Sequence, residues 1–292
     1  MTERWIWQRL GAQERPVRVT RWDRRAAHDR HDHDFMELTV ITGGGGWHRS
    51  PAGELELGAG AVVLVGPGLW HEYHNCRDLA GRDCCFQAGL LHRELAWLVA
   101  DAQVGALLWG RRRGQRRHGL VSLRLDPATL ERVLAHLDRF RQLAELPASA
   151  SRAEHIGLLT QVLGEVARAA GADEPAAEGG VDPAVAAALR VLADGLAEDW
   201  TLERLAARTG LAADRLGRLF RAAVGQPPMA YLNRLRAEQA ASLLLRSGRP
   251  VAEIGAAVGW HDPNYCARRF RESYGCSPRA YRARFAAPPG SC

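Results

Sequence analysis

Two stretches in the last third of the chain repeat one another, and this repetition constrains the fold more than any other feature. The first is TLERLAARTGLAADRLGRLFRAAVGQPPMAYL, residues 201–232, and the second is PVAEIGAAVGWHDPNYCARRFRESYGCSPRAY, residues 250–281. In register they read L-x-x-L-A-x-x-x-G against V-x-x-I-G-x-x-x-G, ending at Gly210 and Gly259. Phe220 and, with one residue inserted, Phe270 follow. Each copy then runs to V-G or Y-G (224–225 and 274–275) and to a proline and tyrosine, Pro228 with Tyr231 and Pro278 with Tyr281.

One copy has the physics of a helix-turn-helix. Leu202, Leu205 and Ala206 form the buried stripe of a short helix, and Gly210 ends it, because glycine takes the left-handed conformation of a sharp turn at little cost. A second helix starts near Ala212 or Ala213 with Leu216, Leu219 and Phe220 inward and Arg215, Arg218 and Arg221 outward. In the second copy Val251 and Ile254 bury, Gly259 turns the chain, and Asp262 is placed to cap the next helix with Pro263 at its first position. The second helix of such a unit enters the major groove of DNA. The segment between the copies, MAYLNRLRAEQAASLLL (229–245), is long enough for a rigid helix that would hold two such units about one DNA turn (~34 Å) apart.

Charge supports the same reading. The chain of 292 residues has 39 arginines and no lysine. Residues 1–181 hold 23 Arg against 23 acids, while residues 182–292 hold 16 Arg against 10 acids, so the whole net charge of +6 lies in the repeated segment. A basic module beside a neutral one is the electrostatic signature of a polyanion binder. On these residues the chain resembles the DNA-binding domain of AraC/XylS-type bacterial transcription regulators, carried by LGRLFRAAVGQPPMAYLNRLRAEQA and IGAAVGWHDPNYCARRFRESYGCSPRAYR. Trp260, His261 and Cys266 depart from the family pattern. The resemblance implies that Asp214, Arg215, Gly217 and Arg218 of the first recognition helix face bases, with Asn264, Tyr265, Ala267 and Arg268 in the second. Arg218 and Arg268 are equivalent and suited to bidentate bonding of guanine. Arg221, Arg246 and Arg269 are read as phosphate or structural contacts.

The rest of the chain reads differently. From residue 17 to about 90, glycine-rich stretches (TGGGGW 42–47, SPAGE 50–54, LGAGA 57–61, VGPG 65–68) read as turns separating short runs such as MELTVI (36–41) and AVVLV (61–65). Short strands at close turn spacing predict a small antiparallel barrel or sandwich. RRRGQRR, 111–117, reads as a basic loop. Two helices follow, with Leu130, Val133, Leu137, Phe140 and Ala144 on one stripe and Ile156, Leu159, Val162, Leu163 and Val166 on the other. They pack on the barrel, form a dimer seam, or do both. The six cysteines lack regular spacing and are expected to stay reduced. No apolar run reaches the length of a membrane span, and the N-terminus lacks a signal-peptide core, so a cytoplasmic protein without membrane contact is expected.

HDHDFMEL, residues 31–38, reads as one strand that places His31, His33, Phe35 and Glu37 on a shared face. His31-x-His33-x-x-x-Glu37 before Gly43 and Gly44 resembles the first cupin motif, and Gly60…Pro67-Gly68-x-x-His71-x-x-x-Asn75 resembles the second, with the glycine and proline slightly out of place. Cupin resemblance implies a divalent metal on His31, His33, Glu37 and His71. The residues alone leave a second reading open, a sugar held by hydrogen bonds with Trp47 or Trp70 stacked on its flat face. Carbohydrate-responsive members of the AraC/XylS group, the rhamnose regulators among them, carry similar His/Glu patterns.

The sequence therefore predicts an α+β chain of two domains: a cupin-like sensing barrel over 1–125, a helical dimerisation or packing segment over 126–170, a linker over 171–182, and a double helix-turn-helix over 183–292. The expected activity is sequence-specific regulation of transcription, with no catalytic residue and no required cofactor. The expected partners are promoter DNA, a small-molecule effector such as a sugar, RNA polymerase and a second copy of the chain. The alternative is a metal-dependent cupin enzyme with an auxiliary DNA-binding domain.

Overall fold

The computed structural model describes residues 3–5, 7, 15–25, 27–109, 120–145, 152–172 and 181–285. The basic loop at 111–117 and most of the linker read at 171–182 lie outside the described residues. The chain divides between Asp182 and Pro183 into two compact units.

The N-terminal unit is built on a sheet of strands β1 (Glu3–Trp5), β2 (Val17–Arg25), β3 (His28–His33), β4 (Met36–Ser50), β5 (Gly53–Leu57), β6 (Ala61–Val65), β7 (His71–Phe86) and β8 (Leu120–Arg124). Its order is β1-β3-β7-β4-β6-β8, with β2 added on β7 and β5 on β4, and only the β1–β3 pairing is parallel. AVVLV forms β6 and is buried on both faces, as a continuous apolar run requires.

Two local readings change. TGGGGW is no turn but the middle of β4, where the register against β7 shifts three times between Ile41 and Trp47. Each shift is a bulge that bends and twists the pair. Gly44, at φ 71°, comes so close to β7 that a Cβ there would lie 2.1 Å from the Asp78 carbonyl oxygen. The bend lets the sheet close on itself. Glu37 pairs with Cys85 near one end of β7, and His71 is at the other end, about 46 Å away along a straight strand at ~3.3 Å per residue. Their side chains nevertheless meet. HDHDFMEL likewise is not one strand: the chain bends at Asp34–Phe35, so the histidines come from β3 and Glu37 from β4.

Between β7 and β8 lie two short 3-10 turns and helix α1 (Ala102–Trp109). Helices α2 (Pro127–Leu143) and α3 (Arg152–Ala172) follow, packed on each other and against β2 and β8. Asp126 caps α2 by accepting from Thr129 N. Val133, Leu137, Leu159, Val162, Leu163 and Val166 are fully buried within this one chain. Most of both stripes is thus buried within the chain, while Leu130 and Ile156 are half-buried and Ala144 is exposed.

The C-terminal unit is all helix: α4 (Pro183–Asp194), α5 (Leu202–Thr209), α6 (Ala213–Val224), α7 (Pro228–Arg246), α8 (Val251–Ala257), α9 (Pro263–Tyr274) and α10 (Pro278–Phe285). The repeat is visible in three dimensions. Phe220 meets Tyr231 edge-on at 5.4 Å and 73°, and Phe270 meets Tyr281 at 5.2 Å and 79°. Gly210, Gly225, Gly259 and Gly275 all take positive φ at the equivalent turns.

Candidate functional site

Four histidines and two carboxylates gather on the inner face of the barrel. His31 pairs with His71 in register, and His48 pairs with Tyr73, so these side chains share a face. Ligand atoms of His31, Glu37 and His71 all lie within 4.8 Å of one another, and Nε2 of His33 is 3.9 Å from the Glu37 carboxylate. All are buried.

Hydrogen bonding sets which ring nitrogen faces inward. Nδ1 of His31 is 2.9 Å from the Asp29 carbonyl oxygen, and Nδ1 of His33 is 2.8 Å from that of Phe35. A carbonyl only accepts, so each Nδ1 carries the proton, and Nε2 of the neutral ring keeps its lone pair. Nδ1 of His71 lies 3.3 Å from Nε2 of His48. When His71 donates there, its own Nε2, buried without a hydrogen-bond partner among the described residues, supplies a third lone pair. Burial, and secondarily the neighbouring His31, lowers the pKa of His48 to about 4. Burial first, then His33, His31 and His48, pushes His71 well below its usual value. Burial thus leaves His48 and His71 as neutral acceptors rather than cations.

Beside it, the Thr39 hydroxyl lies 2.8 Å from the Asp83 carboxylate and 3.2 Å from that of Glu37, and accepts from the Tyr73 hydroxyl at 3.3 Å. His48, Thr39, Tyr73 and Asp83 were not singled out in the sequence. Only the strand register brings them in.

Of the two tryptophans expected to stack on a sugar, neither is on this face. Trp47 pairs with His74, one residue out of phase with His48, and instead lines an outer cleft of about 460 Å³ with Glu56, Asn75 and Arg77. Trp70 is covered by the Arg30 guanidinium, 3.8 Å from its ring centre. The aromatic cover comes from the N-terminal segment. Trp5 stacks on His31 at 4.6 Å, and Trp7 packs on Phe35, its backbone N–H donating to the Asp34 carboxylate at 2.7 Å.

In the helical unit the second helices of the two repeats, which the sequence reading expects to meet DNA, are α6 and α9. Thr201 caps α5 through Arg204 N, and Asp262 caps α9 through Tyr265 N at 2.6 Å with Pro263 at the first position. Asp214, Arg215, Arg218 and Arg221 on α6 are exposed, as are Asn264 and Arg268 on α9 and Arg246 at the end of α7. Gly217 is turned inward, where a Cβ would touch Leu202. Ala267 is half-buried, and Tyr265 is engaged by Arg269, whose Nε donates to its hydroxyl at 3.1 Å.

Sequence reading also missed Arg236. From the middle of α7 its buried guanidinium donates to the carbonyls of Leu196 (2.9 Å), Glu198 (2.6 Å) and Gly259 (3.2 Å). It ties the connecting helix to the α4–α5 loop and to the turn of the second helix-turn-helix.

Comparison with known proteins agrees with both halves. Residues 17–180 match the model of the AraC-like ligand binding domain, and residues 205–284 match that of a helix-turn-helix domain. The MmsAB operon regulatory protein of Pseudomonas aeruginosa is 28 % identical over 273 residues, 90 % of this chain and 79 % of that protein. The HTH-type transcriptional activator RhaS of Escherichia fergusonii is 27 % identical over 93 % of each chain. Among solved structures, an apo ToxT variant from Vibrio cholerae superposes with a TM-score of 0.52 over 93 % of this chain and 98 % of that one, at 11 % identity, a likeness of fold.

Proposed function

Because the chain belongs to the AraC family of transcription regulators, with an AraC-like ligand-binding domain and a helix-turn-helix domain, we propose that it activates promoters in response to a carbohydrate-type effector held inside the barrel. The buried convergence of His31, Glu37 and His71 carries this reading. Imidazole and carboxylate acceptors gathered on one buried face can bond a partner rich in donors, and the hydroxyls of a polyol are such donors. Thr39, Tyr73 and Asp83 extend the polar surface. The resemblance of these histidines to those of carbohydrate-responsive regulators points the same way.

The same residues fit a divalent cation. His31, His33 and His71, each through Nε2, with Glu37, would hold zinc, manganese, iron or nickel, all suited to imidazole and carboxylate. Such an ion would supply open coordination positions for effector oxygens. The regulator works on double-stranded promoter DNA through α6 and α9, acts on RNA polymerase, and does so in the cytoplasm as a homodimer. Among the described residues no helix is long and apolar enough to cross a membrane. The relatives that match over most of their length carry regulator names, which sets aside the enzyme alternative.

Two experiments test this. Selection of genomic fragments by the purified protein at controlled salt is expected to enrich a few promoter sites whose neighbouring genes nominate the sugar; only diffuse binding would count against the reading. Thermal denaturation against a sugar panel, with and without added zinc or manganese, is expected to find an effector that adds about 2.7 kcal/mol at 100 times its Kd. His71→Ala and His33→Ala should abolish that gain while DNA binding stays intact. An undiminished gain in both variants would remove this cluster from sensing.

A further inference from the structure

The repeat supplies its own control for how each recognition helix handles charge. Aligned on Phe220 and Phe270, Arg218 matches Arg268, Arg221 matches Arg271, and Ala222 matches Glu272. On α6, Arg215, Arg218 and Arg221 are exposed and make no ion pair or hydrogen bond with the described residues. On α9, Arg271 is likewise exposed and makes no such contact with the described residues, but Arg268 and Arg269 are engaged. Nη1 of Arg269 donates to Glu272 at 2.8 Å, Nη1 of Arg268 lies 3.7 Å from the other oxygen of that carboxylate, and both guanidiniums lean over the Tyr265 ring at 5.2 and 5.4 Å. The Arg269 hydrogen bond holds the Glu272 carboxyl below the usual carboxylate range, so it is ionised wherever the protein works.

Glu272 is also in the wrong place for helix stability. It sits in the last turn of α9, where the helix dipole disfavours negative charge. Its position is explained by what it faces, two arginines on the DNA-reading helix.

We propose that Glu272 is a specificity-determining residue that neutralises Arg268 and Arg269 until a cognate site displaces it. Sequence-blind attraction to phosphates then falls mainly to α6, which has alanine at the equivalent position. The second helix adds its arginines only where base contacts on α9 repay the broken ion pairs. A carboxylate near the DNA backbone also repels it, so the device lowers affinity for random DNA more than for the true site.

The test measures binding of the full-length protein to a scrambled duplex and to a selected genomic fragment across a salt series. Glu272→Gln should raise affinity for the scrambled duplex about 5-fold at low salt. It should steepen the slope of log affinity against log salt by about 1, the value for one further phosphate contact. Affinity for the selected fragment should change less than 2-fold, so the ratio of specific to random binding falls. Ala222→Glu, which places a carboxylate one turn after Arg218 in the first copy (Leu219 stands where the second has Arg269), should lower affinity for random DNA and flatten the slope. Glu272 is exposed, so folding is not at risk, and melting curves of both variants verify this. Unchanged slopes, or equal changes on both duplexes, would overturn the proposal. So would a loss on both duplexes together with a lowered melting temperature, which would mark Glu272 as structural.

Discussion

His31, His33, His48 and His71 are at most 2 % exposed, whereas Arg215, Arg218 and Arg221 stand in solvent. Both groups are basic side chains, and their surroundings make them opposites. Inside the barrel, burial removes charge from His48 and His71 and leaves lone pairs, a surface that selects by directed bonds at short range. On the recognition helix, solvent preserves full charge, a surface that attracts from a distance and is screened by ions. If the cluster senses and α6 reads, the first is expected to be insensitive to salt and the second sensitive to it.

Salt gives the largest expected separation of the two. If the DNA face makes about 6 phosphate contacts, raising salt from about 50 to 200 mM should cost roughly 10³-fold in DNA affinity. Effector affinity, followed by calorimetry over the same range, should move less than 2-fold. Comparable losses in both would mean that the barrel works through exposed charge.

Acid tests the barrel side. Unfolded His48 takes up its proton near 6.5, and folded His48 does so only at about 4. Between those values the unfolded state binds more protons, so stability is full above 6.5 and declines as pH falls towards 4. For this residue the loss is about 3 kcal/mol. Urea denaturation of chelator-treated protein should show that slope in the transition of the N-terminal unit, and His48→Gln should reduce it. A flat profile in the parent protein would show that the cluster is wetter than the packing indicates.

The reader can be broken at equivalent arginines. Arg218→Ala and Arg268→Ala should each cost ~1–3 kcal/mol of discrimination at their own base positions, read by binding to a library of mutated sites. Uniform loss across all sequences would reassign either residue to phosphate. The smallest effect is expected at a cap: Asp262→Ala should lower the stability of the helical unit by about 1 kcal/mol, because Tyr265 N loses its acceptor. No change in the denaturation midpoint of that unit would mean that Pro263 alone fixes the start of α9.

What could be read from the sequence follows from how local each determinant is. The helix-turn-helix repeat, the positive-φ glycines at 210 and 259, the Asp262 cap and the strands MELTVI and AVVLV depend on neighbours within a few residues, so spacing reveals them. His48 depends on β4 meeting β7 with Tyr73 opposite, 25 residues away, and no local periodicity encodes that register. The same holds for Asp83 beside Thr39 and for Arg236 reaching three carbonyls from distant loops. Four consecutive glycines look like a turn by composition, yet in β4 they are the bend that brings Glu37 to His71. Trp47 was assigned to the pocket because it is aromatic and near, but alternation along a strand sends it to the opposite side from its neighbour His48.

Arg236 also places a demand on the promoter. One guanidinium clamps the connecting helix to the turn of the second copy, which is expected to resist a change in the spacing of the two units. Each base pair inserted between the two subsites turns the farther one by about 34° around the duplex axis. If both copies read DNA, a base pair added or dropped between their subsites is therefore expected to cost more affinity than a base exchanged at a position no side chain reads.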